Sequence, residues 1–491
     1  MSAPTDAQRM EKIVSLCKRR GFIFQSSEIY GGLNGAWDYG PLGVELKRNL
    51  KNYWWRVMVH ERDDVIGMDG AILTHPAVLK ASGHVEGFSD LLVDCRTCKS
   101  RWRADQIVVN KGGQQCPRCG SKDLTEPREF NLMLETHIGS IDPRSGPTYT
   151  EPPTALTGTS QAELPKAVPK IPFDVMRPAG EQIALVYLRP ETAQSIFVQF
   201  KNILEVSRKK LPFGIAQIGK AFRNEINPRN FTFRSREFEQ MEVEYFCRPE
   251  QGMELLDYWK EERLKFYENI GISRERLNVK TVSDKERAFY SKGTYDIEYD
   301  FPFGLQELEG VAYRTDYDLK QHQDASGKSL EYFDDEKKER FIPHVVEPSA
   351  GVDRTILALI CDAFAEDQAP DDKGKMESRI VLRLHPRIAP IKCAVFPLLK
   401  NKEPLVAKAK EIVDLLRPHM SVFYDESGAI GRRYRRQDEI GTPFGVTVDF
   451  ETLGEKDPKL RESVTLRERD SMKQERVRIS DLLQLLSMRI A

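Results

Sequence analysis

The segment Ala221-Phe222-Arg223-Asn224-Glu225, the loop 226–235 and the run Arg236-Glu237-Phe238-Glu239-Gln240-Met241-Glu242-Val243-Glu244-Tyr245 bring guanidinium, carboxylate, amide and phenyl groups into one short stretch. A guanidinium can hold a phosphate in a fork, a carboxylate can accept from an exocyclic amine, and a phenyl ring can stack on a base. Side chains alternate along a strand, so Arg223 and Glu225 share one face, while Phe238, Gln240, Glu242 and Glu244 share another and Met241, Val243 and Tyr245 turn inward. A row of carboxyl and amide groups is costly in a core but suits the floor of a polar pocket. Such a set would seat ATP. An antiparallel hairpin whose Arg and Glu residues merely pair across strands fits the same residues.

A second arginine stands at a helix start. His344-Val345-Val346-Glu347-Pro348-Ser349 predicts a strand, and Ala350-Gly351 leads into a helix opening Val352-Asp353-Arg354, anchored by Val352, Ile356, Leu359, Ile360 and Ala363. Free amides of a first turn favour anions, whereas the helix dipole disfavours a cation there. A phosphate ligand would account for Arg354, and so would a salt bridge to a neighbouring carboxylate.

Cys95-x2-Cys98 and, 17 residues on, Cys116-x2-Cys119 have the spacing of two knuckles around a four-thiolate zinc ion. Four protein ligands leave no open coordination position, so the expected role is structural. A metal-free relic is the alternative. Cys17, Cys247, Cys361 and Cys393 stand singly and read as ordinary semi-buried thiols.

The elements that must position these groups fit a chain of 491 residues with 40% hydrophobic and 30% charged residues, enough for about three domains with real cores. Lys+Arg (74) nearly cancel Asp+Glu (75), so any nucleic-acid site is a local patch, not a wholly basic surface. No stretch approaches the ~20 apolar residues of a membrane helix, and Met1 to Lys12 lacks a signal-peptide core, so a cytoplasmic location with no membrane partner is expected. Helical spacing is read at 7–20, Glu45 to Val59 and 254–270, with a glycine-rich turn from Gly31 to Pro41. Recurrent prolines from Pro143 to Pro178 predict an extended surface insertion, and the acidic stretch Asp362 to Glu377 a linker or loop. After Ile388, strands at Ile391–Phe396, Val422–Tyr424 and Gly445–Asp449 alternate with helices at 403–417 and 479–489, as in a small α/β domain with a parallel or mixed sheet.

These residues resemble a class II aminoacyl-tRNA synthetase. Phe222-Arg223-Asn224-Glu225 to Phe238 is similar to motif 2, Gly351-Val352-Asp353-Arg354 to motif 3, and the helix Glu45 to Val59 with the strand Asp64 to Leu73 and Pro76 to motif 1, the dimer-forming element. More specifically, the chain is similar to the bacterial, dimeric (α2) glycyl-tRNA synthetases. The resemblance runs over nearly the whole chain through strings such as Glu28-Ile29-Tyr30-Gly31-Gly32, Arg189-Pro190-Glu191-Thr192-Ala193-Gln194, Arg314-Thr315-Asp316-Tyr317-Asp318-Leu319 and Glu347-Pro348-Ser349. The proline-rich insertion, about 147–178, has no match in that pattern.

The resemblance implies an α+β multidomain chain. Its catalytic core, an antiparallel sheet flanked by helices, would occupy 1–90 and 126–387, with a zinc-knuckle insertion at 91–125 and an α/β anticodon-binding domain at 388–491. It implies ATP with Mg2+, glycine and tRNA(Gly) as substrates, structural Zn2+ and a homodimer. Arg223 and Arg354 would be catalytic. Asn224, Glu225, Phe233, Arg234, Phe238, Glu307, Leu308 and Gly351 would complete the ATP site, with Glu307 acting through Mg2+. Glu191, Gln240, Glu242, Glu347, Ser349 and Arg103 would surround glycine, whose lack of a side chain leaves only its ammonium, its carboxylate and the absence of bulk to be read. In the last domain, Ile430-Gly431-Arg432-Arg433-Tyr434-Arg435-Arg436-Gln437-Asp438 suits phosphate contact and base stacking or, equally, a structural role before the Gly441-x-Pro443 turn. A prolyl, threonyl or histidyl enzyme is disfavoured by Glu191, Glu242 and Glu347-Pro348-Ser349. A non-catalytic relative is disfavoured by the presence of both Arg223 and Arg354.

Overall fold

A computed structural model describes residues 6–110, 113–138, 184–284, 287–288, 291–370 and 376–491. The proline-rich stretch 147–178 lies outside them.

The centre is a seven-stranded sheet. In chain order its strands are β1 (Val65–Gly67), β2 (Phe213–Phe222), β3 (Glu237–Cys247), β4 (Leu277–Thr281), β5 (Gly293–Phe301), β6 (Gly304–Thr315) and β7 (His344–Gly351). Their spatial order is β4-β5-β6-β7-β3-β2-β1, and only β1 pairs in parallel. Helices α1 (Asp6–Arg20), α2 (Pro41–Trp55), α3 (Ala193–Ser207), α4 (Gly252–Asn269), α5 (Tyr317–Ser326) and α6 (Val352–Ala363) flank it.

The alternation along β3 decides where the site can be. Met241, Val243 and Tyr245 enter the main core, which Leu46, Leu50 and Trp54 of α2, Trp259 of α4 and Ile356 and Ile360 of α6 also fill. On the opposite face the apolar packing sits at one end, where Phe197 and Phe200 of α3 meet Phe213, Ile215 and Phe246. Burying each such side chain contributes roughly 1.5–3 kcal/mol. Beyond that aromatic cap the same face carries Gln240, Glu242 and Glu244. Gly219, opposite Gln240 on β2, leaves room for Arg189: a Cβ there would run into the buried guanidinium, which the Lys220 and Gly70 carbonyls hold in place.

Three expectations change. The strand expected from Asp64 to Leu73 is broken: Val65–Gly67 pairs with β2, whereas Leu73–Thr74 pairs with Ala184–Leu188 in a different sheet. The linker expected at Asp362–Glu377 is instead mostly structured. Asp362 closes α6, and β8 (Phe364–Pro370) pairs with β9 (Met376–Leu382), the acidic Asp367 being held by Arg379 at 2.5 Å. The four single cysteines are fully buried.

After residue 388, strands β10 (Cys393–Pro397), β11 (Val422–Tyr424), β12 (Phe444–Val448), β13 (Ser463–Glu468) and β14 (Gln474–Arg478) form a mixed sheet ordered β11-β10-β12-β13-β14, with helices α7 (Glu403–Leu416), α8 (Ile430–Ile440) and α9 (Ile479–Ile490). The expected strands and helices are present. The basic cluster is itself a helix, α8, and most of it serves the fold. Arg433 is buried and donates to the carbonyls of Gly428 and Pro397, the Tyr434 hydroxyl meets that of Thr447, and Arg436 pairs with Asp425 at 2.6 Å. Of these arginines Arg432 stays exposed.

Candidate active site

Register alone assembles the floor. β3 lies between β2 and β7, so Glu242 stands opposite Gln217 on one side and Ser349 on the other, and Gln240 opposite Gly219 and Gly351. No cation faces Glu242 across either strand, which removes the simple paired-hairpin reading for this residue. The Gln240 amide donates to Ser349 Oγ at 3.3 Å.

At one end of the floor β2 stops at Phe222, and Arg223 begins the loop. Its guanidinium carbon lies 5.3 Å from the Phe238 ring centroid and 5.2 Å from that of Phe88, and Nε donates to the Pro190 carbonyl at 3.0 Å. The fork is thus held between two rings, and its terminal nitrogens have no partner among the described residues. Asn224 is fixed by its backbone amide, which donates to the Leu132 carbonyl at 2.8 Å.

On the other side Arg354 rises from the first turn of α6. Nε donates to the Phe233 carbonyl at 3.2 Å, Nη1 to the Glu307 carbonyl at 3.3 Å, and the guanidinium lies 4.6 Å from the Phe233 ring centroid. Its Nη1 also sits 3.5 Å from the carboxylate of Glu307, which is 52% exposed. The ion pair is therefore present, but an exposed pair contributes little and leaves Arg354 available. Gly351 is the last residue of β7, with a virtual Cβ 3.6 Å from the Arg354 side chain. Leu308 points into the main core, so only its backbone can reach a ligand.

Arg234 and Glu225 close the loop, with Nη1 and Oε2 3.7 Å apart and neither atom hydrogen-bonded. Burial, offset by Glu225, and the nearby Arg103 and Arg354 pull the Arg234 guanidinium down, which places Arg103, Arg234 and Arg354 in one electrostatic neighbourhood. Arg103 itself pairs with Asp90 at 3.1 Å and Asp105 at 3.2 Å. Buried polar atoms without partners are rare in folded proteins. Here Glu225 Oε2, Arg234 Nη1, Gln240 Oε1 and both Glu244 oxygens belong to β3 and the loop before it.

The far end of the floor is buried and acidic. Carboxylate oxygens of Glu242, Glu244 and Glu347 lie within 4.8 Å of one another, all buried. Thr192 donates its hydroxyl to Glu242, and Arg314 donates to Glu347 at 2.8 Å while forming a bidentate pair with Asp318. Glu191 accepts from Gln194 at 2.9 Å and lies 3.4 Å from His84 Nε2. Burial pushes the Glu191 carboxyl up, but His84, Arg314 and Gln194 together hold it well below the usual carboxylate range.

With this geometry, the chain is 48% identical to the glycine–tRNA ligase of Thermobifida fusca (strain YX) over the full length of both. It is 49% identical to that of Treponema denticola over 98% of this chain and 97% of the relative, and 48% to that of Borreliella burgdorferi (strain ATCC 35210) over 98% of each. The chain belongs to the glycine–tRNA ligase family. Residues 179–363 match the tRNA synthetase class II core domain (G, H, P, S and T), and residues 392–489 the anticodon binding domain. The expected class II core and anticodon-binding fold are thereby established, and no described helix is long and apolar enough to cross a membrane.

Seen as a glycine–tRNA ligase, the chain holds site residues that its motifs do not single out. Asp353 accepts from the Tyr39 hydroxyl at 2.5 Å, from Lys47 at 3.1 Å and from the Glu239 amide at 2.8 Å, while Glu239 pairs with Lys47 and Lys51. This network ties α2 to the residues beside Arg354 and Phe238. The pair Arg314–Asp318 joins the end of β6 to the first turn of α5 across a tight turn, so helical spacing does not announce it. His84 has no sequence signal either.

The cysteine quartet lies in the insertion, next to a small sheet in which Ser89–Asp94 runs between Arg101–Arg103 and Arg128–Asn131. Sγ atoms of Cys95 and Cys119 are 3.6 Å apart and those of Cys98 and Cys116 3.7 Å, all four within 4.8 Å. A tetrahedral site with Zn–S bonds of about 2.3 Å requires sulfurs about 3.8 Å apart, so the donor set fits zinc.

Proposed function

We propose that the chain attaches glycine to tRNA(Gly) in two steps. The glycine carboxylate attacks the ATP α-phosphate, giving glycyl-adenylate and pyrophosphate, and the 3′-terminal ribose hydroxyl of tRNA then attacks the acyl carbonyl and releases AMP. Such transfer depends on positioning and charge neutralisation more than on covalent help. Arg223 holds the α-phosphate and stabilises the charge that develops on it. Arg234 and Arg354 take the outer phosphates of a bent nucleotide, Phe238 stacks on adenine, and Glu225 accepts from its amino group, with Asn224, Phe233, Gly351 and the Leu308 backbone lining the site. Glu307 supplies one carboxylate to a Mg2+ ion carried by the phosphates, the usual share for protein groups at such an ion. Glu191, Glu242 and Glu347 face the glycine ammonium, Gln240 and Ser349 orient it, and Arg103 approaches from the insertion.

One observation carries this reading: β3 runs unbroken from Phe238, beneath Arg223, through Gln240, whose partner on β7 is three residues from Arg354, to Glu242 in the acidic niche. Nucleotide and amino acid would thus share a single rigid strand. Steric walls that exclude a methyl group suffice for the smallest amino acid, and no editing domain is needed. Pyrophosphate exchange measured with each of the twenty amino acids should respond to glycine alone. Exchange with alanine, serine or proline in place of glycine would sink the assignment.

The same reading keeps the division 1–90, 91–125, 126–387 and 388–491, a cytoplasmic location and the dimeric α2 form. Ile29, Tyr30, Leu33 and Val44, exposed on and before the motif 1 helix, support a second copy packing there. Sedimentation at the mass of one chain at working concentration would remove the dimer. Purified protein should carry one structural zinc on Cys95, Cys98, Cys116 and Cys119, and chelation should unfold the insertion while the core stays folded. Metal analysis giving under about half an equivalent would end that assignment.

A further inference from the structure

Glu244 has no role in the family pattern set out above, yet among the described residues it alone has both carboxyl oxygens buried without a partner. It is 0% exposed. Its surroundings explain why this matters. Glu242 precedes it on the same face of β3, Glu347 approaches from β7, and Arg314 from β6 and Asp318 from α5 act on it from further off. On the β2 side its register partner is apolar Ile215. The guanidinium that acts on it, that of Arg314, is already committed, bidentate to Asp318 and bonded to Glu347. Glu242 has the Thr192 hydroxyl. An ionised Glu244 would be a third buried negative charge with neither cation nor donor, an arrangement that proteins relieve by taking up a proton.

We propose that Glu244 is a positioning residue of this pocket: an un-ionised carboxylic acid whose proton serves the neighbouring carboxylates Glu347 and Glu242 and leaves the niche with the charge to accept one ammonium group. The proposal rests on the reading of this niche as the glycine site. Consistent with it, burial and the charges of Glu347 and Glu242 push the Glu244 carboxyl well above its usual range. Burial and the charges of Glu242 and Glu191 push Glu347 up as well, against Arg314. The geometry assigns the proton to Glu244, because Glu347 accepts from Arg314 and Glu242 from Thr192 whereas Glu244 has neither cation nor donor. A neutral third carboxyl also makes the triad a poor divalent-cation site, because such ions require ionised oxygen ligands.

The sign of the pH effect follows directly. An unfolded glutamate titrates near about 4.3, so at neutral pH unfolding releases the Glu244 proton, and the wild-type folding equilibrium should weaken by up to about tenfold per pH unit from this group as pH rises. Glu244→Gln keeps the shape and a donor but cannot ionise. Thermal unfolding from neutral to alkaline pH should therefore fall more steeply in wild type than in Glu244→Gln. The infrared carbonyl band of an un-ionised carboxylic acid should be present in wild type and missing in the variant. Glycine KM should rise in Glu244→Leu and be rescued in Glu244→Gln. Parallel unfolding slopes, absence of the band, or a KM in Glu244→Gln as high as in Glu242→Gln would each overturn the proposal. Should the variants fail to fold, 13C-glutamate labelling of wild type still decides, because the band must shift if glutamic acid produces it. The infrared and unfolding measurements do not involve glycine, so they judge Glu244 even if Glu242→Gln shows that glycine binds elsewhere.

Discussion

Replacing Arg223 with alanine should lower glycine-dependent pyrophosphate exchange by at least about two orders of magnitude, the usual loss when one preorganised donor to a developing charge is removed. The guanidinium is clamped before substrate arrives: Phe88 and Phe238 sandwich it and the Pro190 carbonyl fixes Nε, so its two outer nitrogens are aimed without further ordering. Arg223→Lys should rescue little, because an ammonium provides a point charge where the rings and the Pro190 carbonyl are arranged for a planar fork. Neither change removes a core side chain, so circular dichroism and thermal unfolding should stay near wild type. Exchange within a few-fold of wild type in a folded Arg223→Ala protein would show that the α-phosphate lies elsewhere, and with it the nucleotide.

Much of this site is legible in the sequence because strand alternation is a short-range rule. Once β3 is recognised, Met241, Val243 and Tyr245 must face the core and Gln240, Glu242 and Glu244 the other side, as they do. The cysteine quartet is legible for a similar reason, since each knuckle is a local turn. What local rules miss is long-range pairing. Asp353 and Lys47 stand 306 positions apart, and nothing near either residue announces that α2 anchors the helix bearing Arg354. The same limit explains the hairpin β8–β9: Asp362 to Glu377 is too acidic to suggest a paired strand, but Arg379 bridges Asp367 and the buried Asp438 of α8, neutralising charges that appear unpaired in one dimension. It also explains α8, whose arginines look like an RNA surface until Arg433 and Tyr434 prove to be bonded inside the domain. A basic run shows that cations are present, not which way they face.

Glu242→Gln should raise the glycine KM by about tenfold to a hundredfold, the effect of removing a hydrogen bond to a charged group worth about 1.5–3 kcal/mol. The substitution preserves volume, and its amide oxygen can still accept from Thr192, so the fold and the steric walls remain. KM for ATP should stay near wild type, because Glu242 lies two strand positions beyond Gln240, on the side of the niche away from Phe238. On the proposed reading packing excludes bulk and charge holds the ammonium, so discrimination against alanine should persist in this variant. This separates the two parts of glycine recognition. A variant that lost discrimination but kept glycine affinity would mean that Glu242 is a wall and not a ligand, and an unchanged glycine KM would place the ammonium outside the niche formed by Glu191, Glu242 and Glu347.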